Sequence, residues 1–433
     1  MMALAIRAGA AGSHTGVKNP AIRHWRPMLM LLTIAFGMAA SARAASQSGP
    51  TPQHSFLKLT PDDAATREGF DHFYNMEYEP AVADFKKSLS DHPGNPYALN
   101  HLLEGVLFQE LHREGKLDAA LYLGNEFVHI QNKAPNREVA AQIQHLIQEA
   151  LQIEDRQLAA NPNDVGALYA RSVTQGLRAT KQALMDRAWF TALRSGLDAY
   201  NDSKQILDLD PAYSDANLVV GIYNYVVGSL PWPIRIAALL ATIHGSKTKG
   251  LALIRQAVAG DGEASVDART TLGLFLAREH HYKQALALTE WLHAAYPRSF
   301  LFALSAADLL KDAGHPAEAI QAYRQLIEQG RQGQFAGEDV GLAAMDLGNL
   351  LRSEQDWRGA AQAYDSVETF PHPNPDLVMH AQLAAGQMYD LLGDHPLAAQ
   401  HYRKVIDGTS EAGNADLAQL ARRFLAHPYK KGE

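Results

Sequence analysis

Residues 273–323 read GLFLAREHHYKQALALTEWLHAAYPRSFLFALSAADLLKDAGHPAEAIQAY. Gly273 and Ala285 stand twelve residues apart, and Ala307 and Ala319 repeat that pair 34 residues further along. Tyr323 follows Ala319 by four, and Pro297 follows Ala285 by twelve. The same ladder continues at Gly348, Ala360 and Tyr364, and at Gly386, Ala398 and Tyr402. It also occurs at the other end of the chain, as Gly69, Ala81, Phe85 and Pro93. A loose pattern matched once means little, but five copies in phase mark a repeat.

The period and the order small, small, aromatic, proline resemble the tetratricopeptide repeat. That resemblance implies an all-α solenoid of antiparallel helix pairs, a TPR-like superhelix. The spacing has a physical cause. Small residues let two helices approach where they cross, and the aromatic one turn on is expected to plug the gap to the next pair. Proline near the end stops the second helix. Turn signals fall between repeats at Asp91–Pro96, Asn161–Asp164, Asp210-Pro211, Gly314–Pro316 and Gly393–Pro396. No run of alternating β-branched residues suggests a strand.

Working outward, the ends and the middle differ from the repeats. The first 44 residues carry five positive and no negative side chains. Arg23 and Arg26 flank an apolar run from Met28 to Ala40, which closes on Ala42-Arg43-Ala44. This reads as a secretory signal peptide over 1–44; an organellar transit peptide and an uncleaved anchor are its rivals. Export across the inner membrane to a periplasm or cell envelope follows as the expectation. Residues 45–60 form a flexible lead-in, 61–210 N-terminal repeats with helices near 97–114, 116–131, 136–160, 164–184 and 187–209, and 261–410 C-terminal repeats. Residues 411–433 hold a capping helix, Asp416–Ala426, and a tail.

Residues 211–260 break the ladder and read as an irregular apolar helical segment. Gly221, Leu230-Pro231, Gly245, Gly250-Leu251 and Ile254 make this stretch similar to the middle of the eukaryotic inclusion-body-clearance family of tetratricopeptide proteins. Lipid-droplet and adaptor roles are what that resemblance implies, and the secretory signal departs from it. Tyr223, Tyr225 and Trp232 are candidate membrane or partner contacts there, although such aromatics more often fill seams between helices.

Composition narrows the function. The 433 residues are 47% hydrophobic and 20% charged, with 32 Gly, 20 Pro and no Cys. Disulfides, thiolate metal sites and thiol nucleophiles are therefore excluded. Net charge is −8 for the whole chain, and the signal peptide's five cations deepen it once removed. That balance opposes nucleic acid as a partner.

The motifs that could carry chemistry each have an ordinary alternative. Gly245–Gly250 (GSKTKG) lacks the Lys-Ser/Thr after its second Gly and a preceding strand, so it reads as a basic interhelix turn rather than a phosphate loop. Glu290 and His293 have di-iron spacing in a single copy where two are needed. No His-Glu-x-x-His and no Gly-x-Ser-x-Gly occurs. The expectation is a protein with no catalysis, no metal and no cofactor.

In such a superhelix the first helix of each pair lines the concave face. Counting from each small residue selects Asp267, Thr270 and Arg278, then Leu304, Asp308, Lys311 and Asp312. Met345, Asn349 and Arg352 follow, then Leu383, Gln387 and Asp390. A face of mixed charge suits an extended peptide or a partner helix. The carboxylate-clamp type of repeat matches only at Asn349, since Met345 replaces the expected basic residue. A protein or peptide is thus the expected partner of a non-catalytic envelope scaffold. The alternative is a lipid-associated protein using 217–244.

Overall fold

The computed structural model describes residues 61–117, 136–230 and 244–431, apart from 261, 336, 372 and 413–414. The expected signal peptide and lead-in, most of the expected helix near 116–131, and Trp232 lie outside the described residues. Among those described, every regular element is a helix. They are α1 (Ala64–Tyr74), α2 (Tyr78–Asp91), α3 (Pro96–Arg113), α4 (Arg137–Ala160), α5 (Val165–Leu184) and α6 (Trp189–Leu209). Then come α7 (Ala216–Gly228), α8 (Lys247–Ala259), α9 (Ser265–Arg278), α10 (Tyr282–Ala295), α11 (Phe300–Asp312) and α12 (Pro316–Arg331). The last five are α13 (Gly341–Ser353), α14 (Trp357–Ser366), α15 (Pro375–Leu391), α16 (His395–Ala412) and α17 (Ala415–Ala426). Successive helices pack as pairs and each pair packs on the next, which is the α-solenoid the period implies.

Local chemistry sets the ends. Asn95, Asn136, Asp164, Ser299 and Asn374 each accept a backbone N–H of the first turn they precede. Pro96, Pro316 and Pro375 start helices where no N–H is needed. The turn inside each repeat needs one residue in the left-handed region. Gly314 (φ +85°) and Gly393 (φ +81°) supply it freely, whereas Met76, His280 and Gln355 occupy the equivalent place at φ 62–64°. His280→Gly should therefore stabilise the chain by about 0.5–1 kcal/mol in denaturant unfolding. An unchanged midpoint would refute it.

The aromatic position does more than bridge to the next pair. A Cβ on Gly348 would meet the Tyr364 ring at 2.4 Å, and one on Gly386 would meet Tyr402 at 2.6 Å. Gly69 stands in the same relation to Phe85, at 2.5 Å. The ring lies across the small residue of its own repeat, so the motif is an intra-pair lock. The rings also reach the following helix: Phe85 would lie 3.0 Å from a Cβ on Gly105 of α3 and is 5.8 Å from the His101 ring, and Tyr402 lies 5.8 Å from the Phe424 ring of α17.

The described parts of the middle segment are more regular than their sequence suggests. α7 and α8 form a close pair in which backbone touches backbone. A Cβ on Gly250 would sit 2.5 Å from the Tyr225 amide nitrogen and 2.6 Å from the Gly221 carbonyl oxygen. The Gly245–Gly250 stretch is not a simple turn, since α8 begins inside it, capped by Ser246 accepting from the Lys249 N–H.

Candidate functional site

The residues expected on the concave face fall into three groups. Thr270, Asp308 and Asp312 line a cavity of about 130 Å³ whose floor includes Leu274, Ala277 and Leu309. Asp308 accepts from the Tyr323 hydroxyl at 2.5 Å and from Lys311 at 3.1 Å, so the Asp308 and Lys311 charges are paired within α11. Asp312 and Asn349 are exposed, and Arg278 is half-buried at the end of α9. Met345 is half-buried against the core of α11–α15. Leu304 and Leu383, in contrast, are only 5% and 8% exposed. The expectation that they meet a partner is corrected: neighbouring helices cover both side chains, and they belong to the core.

The second group is occupied by the N-terminus of the fold. The Tyr74 hydroxyl donates to Asp267 at 3.0 Å, and the Tyr74 ring lies 4.9 Å from Tyr296. The α10–α11 turn docks on the α1–α2 turn, where the Arg298 N–H donates to Asn75 Oδ1 at 2.9 Å. Its guanidinium reaches Glu77 at 2.8 Å and Asp71 at 2.7 Å. That guanidinium, with His72, holds the Glu77 carboxyl below the usual glutamate range. His112 Nε2 lies 3.1 Å from Glu338, a second tie between the two halves. Phe73, Tyr74, Tyr78 and Phe108 thus form the opposite wall of the cavity. Asp267 is 1% exposed, so it serves the closure of the molecule and is withdrawn from the open groove.

The third group, Arg352, Gln387 and Asp390, is occupied by the other end of the chain. Arg352 donates to Gln387 at 3.2 Å and to the Tyr429 hydroxyl at 2.9 Å, while Asp390 accepts the Tyr429 N–H at 2.8 Å. Sequence periodicity located these three on one face. It carried no signal that residues 427–431 return to meet them.

The described apolar helix of the middle, α7, is interior. Tyr223 stacks on Tyr200 with centroids 3.9 Å apart, and Tyr225 stacks on Phe275 at 3.9 Å. The Tyr225 hydroxyl donates to Glu279 at 2.8 Å. Both tyrosines are buried, as is α7 from Ala216 to Val227, so neither can be the surface contact proposed for it. Among the described residues no helix is long and apolar enough to cross a membrane.

One cluster escaped the sequence reading altogether. Glu104 on α3 is 0% exposed, and neither of its carboxylate oxygens has a hydrogen-bond partner. Burial first, and then the charges of Asp267 and Glu263, push its pKa well above the ordinary value. Burial likewise raises Glu263 to about 8 and Asp215 to about 6. Asp215 accepts the Glu263 N–H at 3.0 Å. Glu154 is raised to about 8 although Thr174 donates to it at 2.6 Å. The only hint was an acid inside the run Leu102-Leu103-Glu104-Gly105-Val106, a helix without a polar face. Among the described residues no three His, Asp or Glu converge as a metal-ligand set.

No protein-family model matches the chain, and no curated protein sequence matches it. Among solved structures it is similar to pilF of Pseudomonas aeruginosa, at 14% identity and a TM-score of 0.33, over 57% of this chain and 97% of that one. It is similar to a tetratricopeptide repeat protein from Parabacteroides merdae, at 15% identity and a TM-score of 0.30, over 76% and 98%. Human IFIT1, solved as a dimer with m7Gppp-AAAA, aligns at 13% identity and a TM-score of 0.37, over 93% and 87%.

Proposed function

We propose that this chain is a non-catalytic, exported scaffold that binds a protein segment on the concave face of α9–α15. The observation that carries the reading is the succession of polar side chains at one register of consecutive repeats: Asp308 and Asp312, then Asn349 and Arg352, then Gln387 and Asp390. Of these, Asp308 and Asp312 border the apolar cavity between α9, α11 and the first repeat. Apolar floor and polar rim are the elements from which peptide-binding grooves are built. The acid-free, basic N-terminus followed by a short apolar run and Ala-x-Ala supports export to the envelope.

A photocrosslinker placed at Asp312 or Asn349 is expected to trap a protein in the native envelope. One at Arg324, exposed on the second helix α12, is expected to trap little. Adding Asp308→Lys to the Asn349 probe should reduce capture by tenfold or more, the scale of a lost charged contact at a binding face. Equal capture from the Arg324 position would remove the groove from consideration.

A further inference from the structure

After α17 ends at Ala426, the chain turns back across the repeats. Only Tyr429 of the segment His427–Lys431 is buried, at 6% exposure. Its ring packs edge-on against Phe424 at 5.2 Å and lies 5.7 Å from the Arg352 guanidinium. Its N–H and hydroxyl are held by Asp390 and Arg352. Two residues on, Lys431 donates to Gln355 Oε1 at 2.8 Å and stands 5.5 Å from the Trp357 ring. The segment therefore crosses from α15 to the α13–α14 turn.

These contacts have the form of a bound extended peptide: one buried aromatic anchor, one main-chain hydrogen bond and a cation at the end. The polar partners of Tyr429 and Lys431 lie on α13, α15 and the α13–α14 turn, while α17 contributes the Phe424 ring and the Arg423 carbonyl that accepts the His427 N–H. Attachment gives the tail an effective concentration in the millimolar range, which sets what an outside segment must overcome.

We infer that this stretch of the concave face is a binding site for an extended protein segment carrying Tyr-x-Lys. The chain's own Tyr429–Lys431 holds the site until such a segment displaces it. Arg352 reads the tyrosine hydroxyl, Asp390 the main chain, and Gln355 with Trp357 the lysine. This rests on the scaffold reading and supplies the chemistry of its partner.

The test is fluorescence anisotropy with a labelled peptide of residues 425–433 (LAHPYKKGE) added to the full chain. A Tyr429→Ala chain, freed of its own anchor, is expected to bind the peptide at least tenfold more tightly than the unaltered chain. Adding Arg352→Ala should remove that gain, and a peptide with Ala at the Tyr429 position should not bind. If Tyr429→Ala does not fold, Lys431→Glu, at an exposed residue, is expected to give a gain of at least threefold. A folded chain of either kind that binds the peptide no better than the unaltered protein overturns the proposal, as does binding indifferent to Arg352. Crosslinks from Asp312 that persist beside a failed peptide titration would sink the tail site alone. A positive titration without those crosslinks would sink only the wider groove.

Discussion

Gly250→Ala should be among the most damaging single-methyl changes in this protein. The new Cβ would collide with the Tyr225 amide nitrogen at 2.5 Å and the Gly221 carbonyl at 2.6 Å. Both are backbone atoms inside helices, so no rotamer change relieves them, and the α7–α8 pair must part. Forcing apart a packed pair costs about 3 kcal/mol or more, the upper range for an overpacked core. Gly273→Ala is the matched control. Its Cβ would find its nearest neighbour, Thr289 Oγ1, at 3.6 Å, an ordinary contact, because this repeat has Thr where the others have a ring. Here the helix gains up to about 1 kcal/mol from replacing glycine. Urea unfolding of the two variants should move in opposite directions. Equal midpoints would mean that α7 and α8 do not touch as described.

Stability should rise as pH falls from about 9 to about 5, contrary to the behaviour of a protein held by surface carboxylates. Glu104, Glu263, Glu154 and Asp215 all have folded-state values above their ordinary ones, because burial disfavours the charge. A raised carboxyl contributes stability that is complete below its unfolded value, near 4, and is lost as pH rises through the folded value. For Glu263 and Glu154 that loss spans pH 4.5 to about 8, at about 1.4 kcal/mol per pH unit for each. His101 opposes the trend: burial drops it to about 3, so its contribution declines as pH falls below 6.5. His293 and His401, lowered mainly by burial, act in the same sense. The carboxyls prevail because several titrate upward over the window in which His101 alone shifts strongly down. Below about pH 4.5, Asp63, Glu77, Glu110 and Glu279, whose values are depressed, lose their own contribution. A maximum near pH 5 results. Glu104→Gln should stabilise the chain at pH 8 by about 1–3 kcal/mol and change little at pH 5. Thermal unfolding of both proteins across pH 4–9 decides it, and parallel curves would place Glu104 in contact with water.

The helix pairs were legible because a repeat writes its geometry into spacing. Gly348 and Tyr364 must stand sixteen apart for a ring to cover a glycine one helix away. Asn95, Asp164 and Asn374 must precede their helices to cap them. These are local requirements, met within one repeat, so a single sequence states them. It also placed Asp308, Asn349, Arg352 and Gln387 on one face, since that follows from helical periodicity alone.

What the residues could not state is how far the superhelix curls and what it then touches. Tyr74 meets Asp267 across 193 positions and Arg352 meets Tyr429 across 77, and no local pattern couples such pairs. The same closure decided that Asp267 and Leu304 are withdrawn while Asn349 stays open, and that Tyr223 and Tyr225 are core. It also placed Glu104 near Asp267 and Glu263 in the interior. Burial is a property of the assembled surface, set by the summed small rotations between repeats. Only the tertiary structure carries that sum.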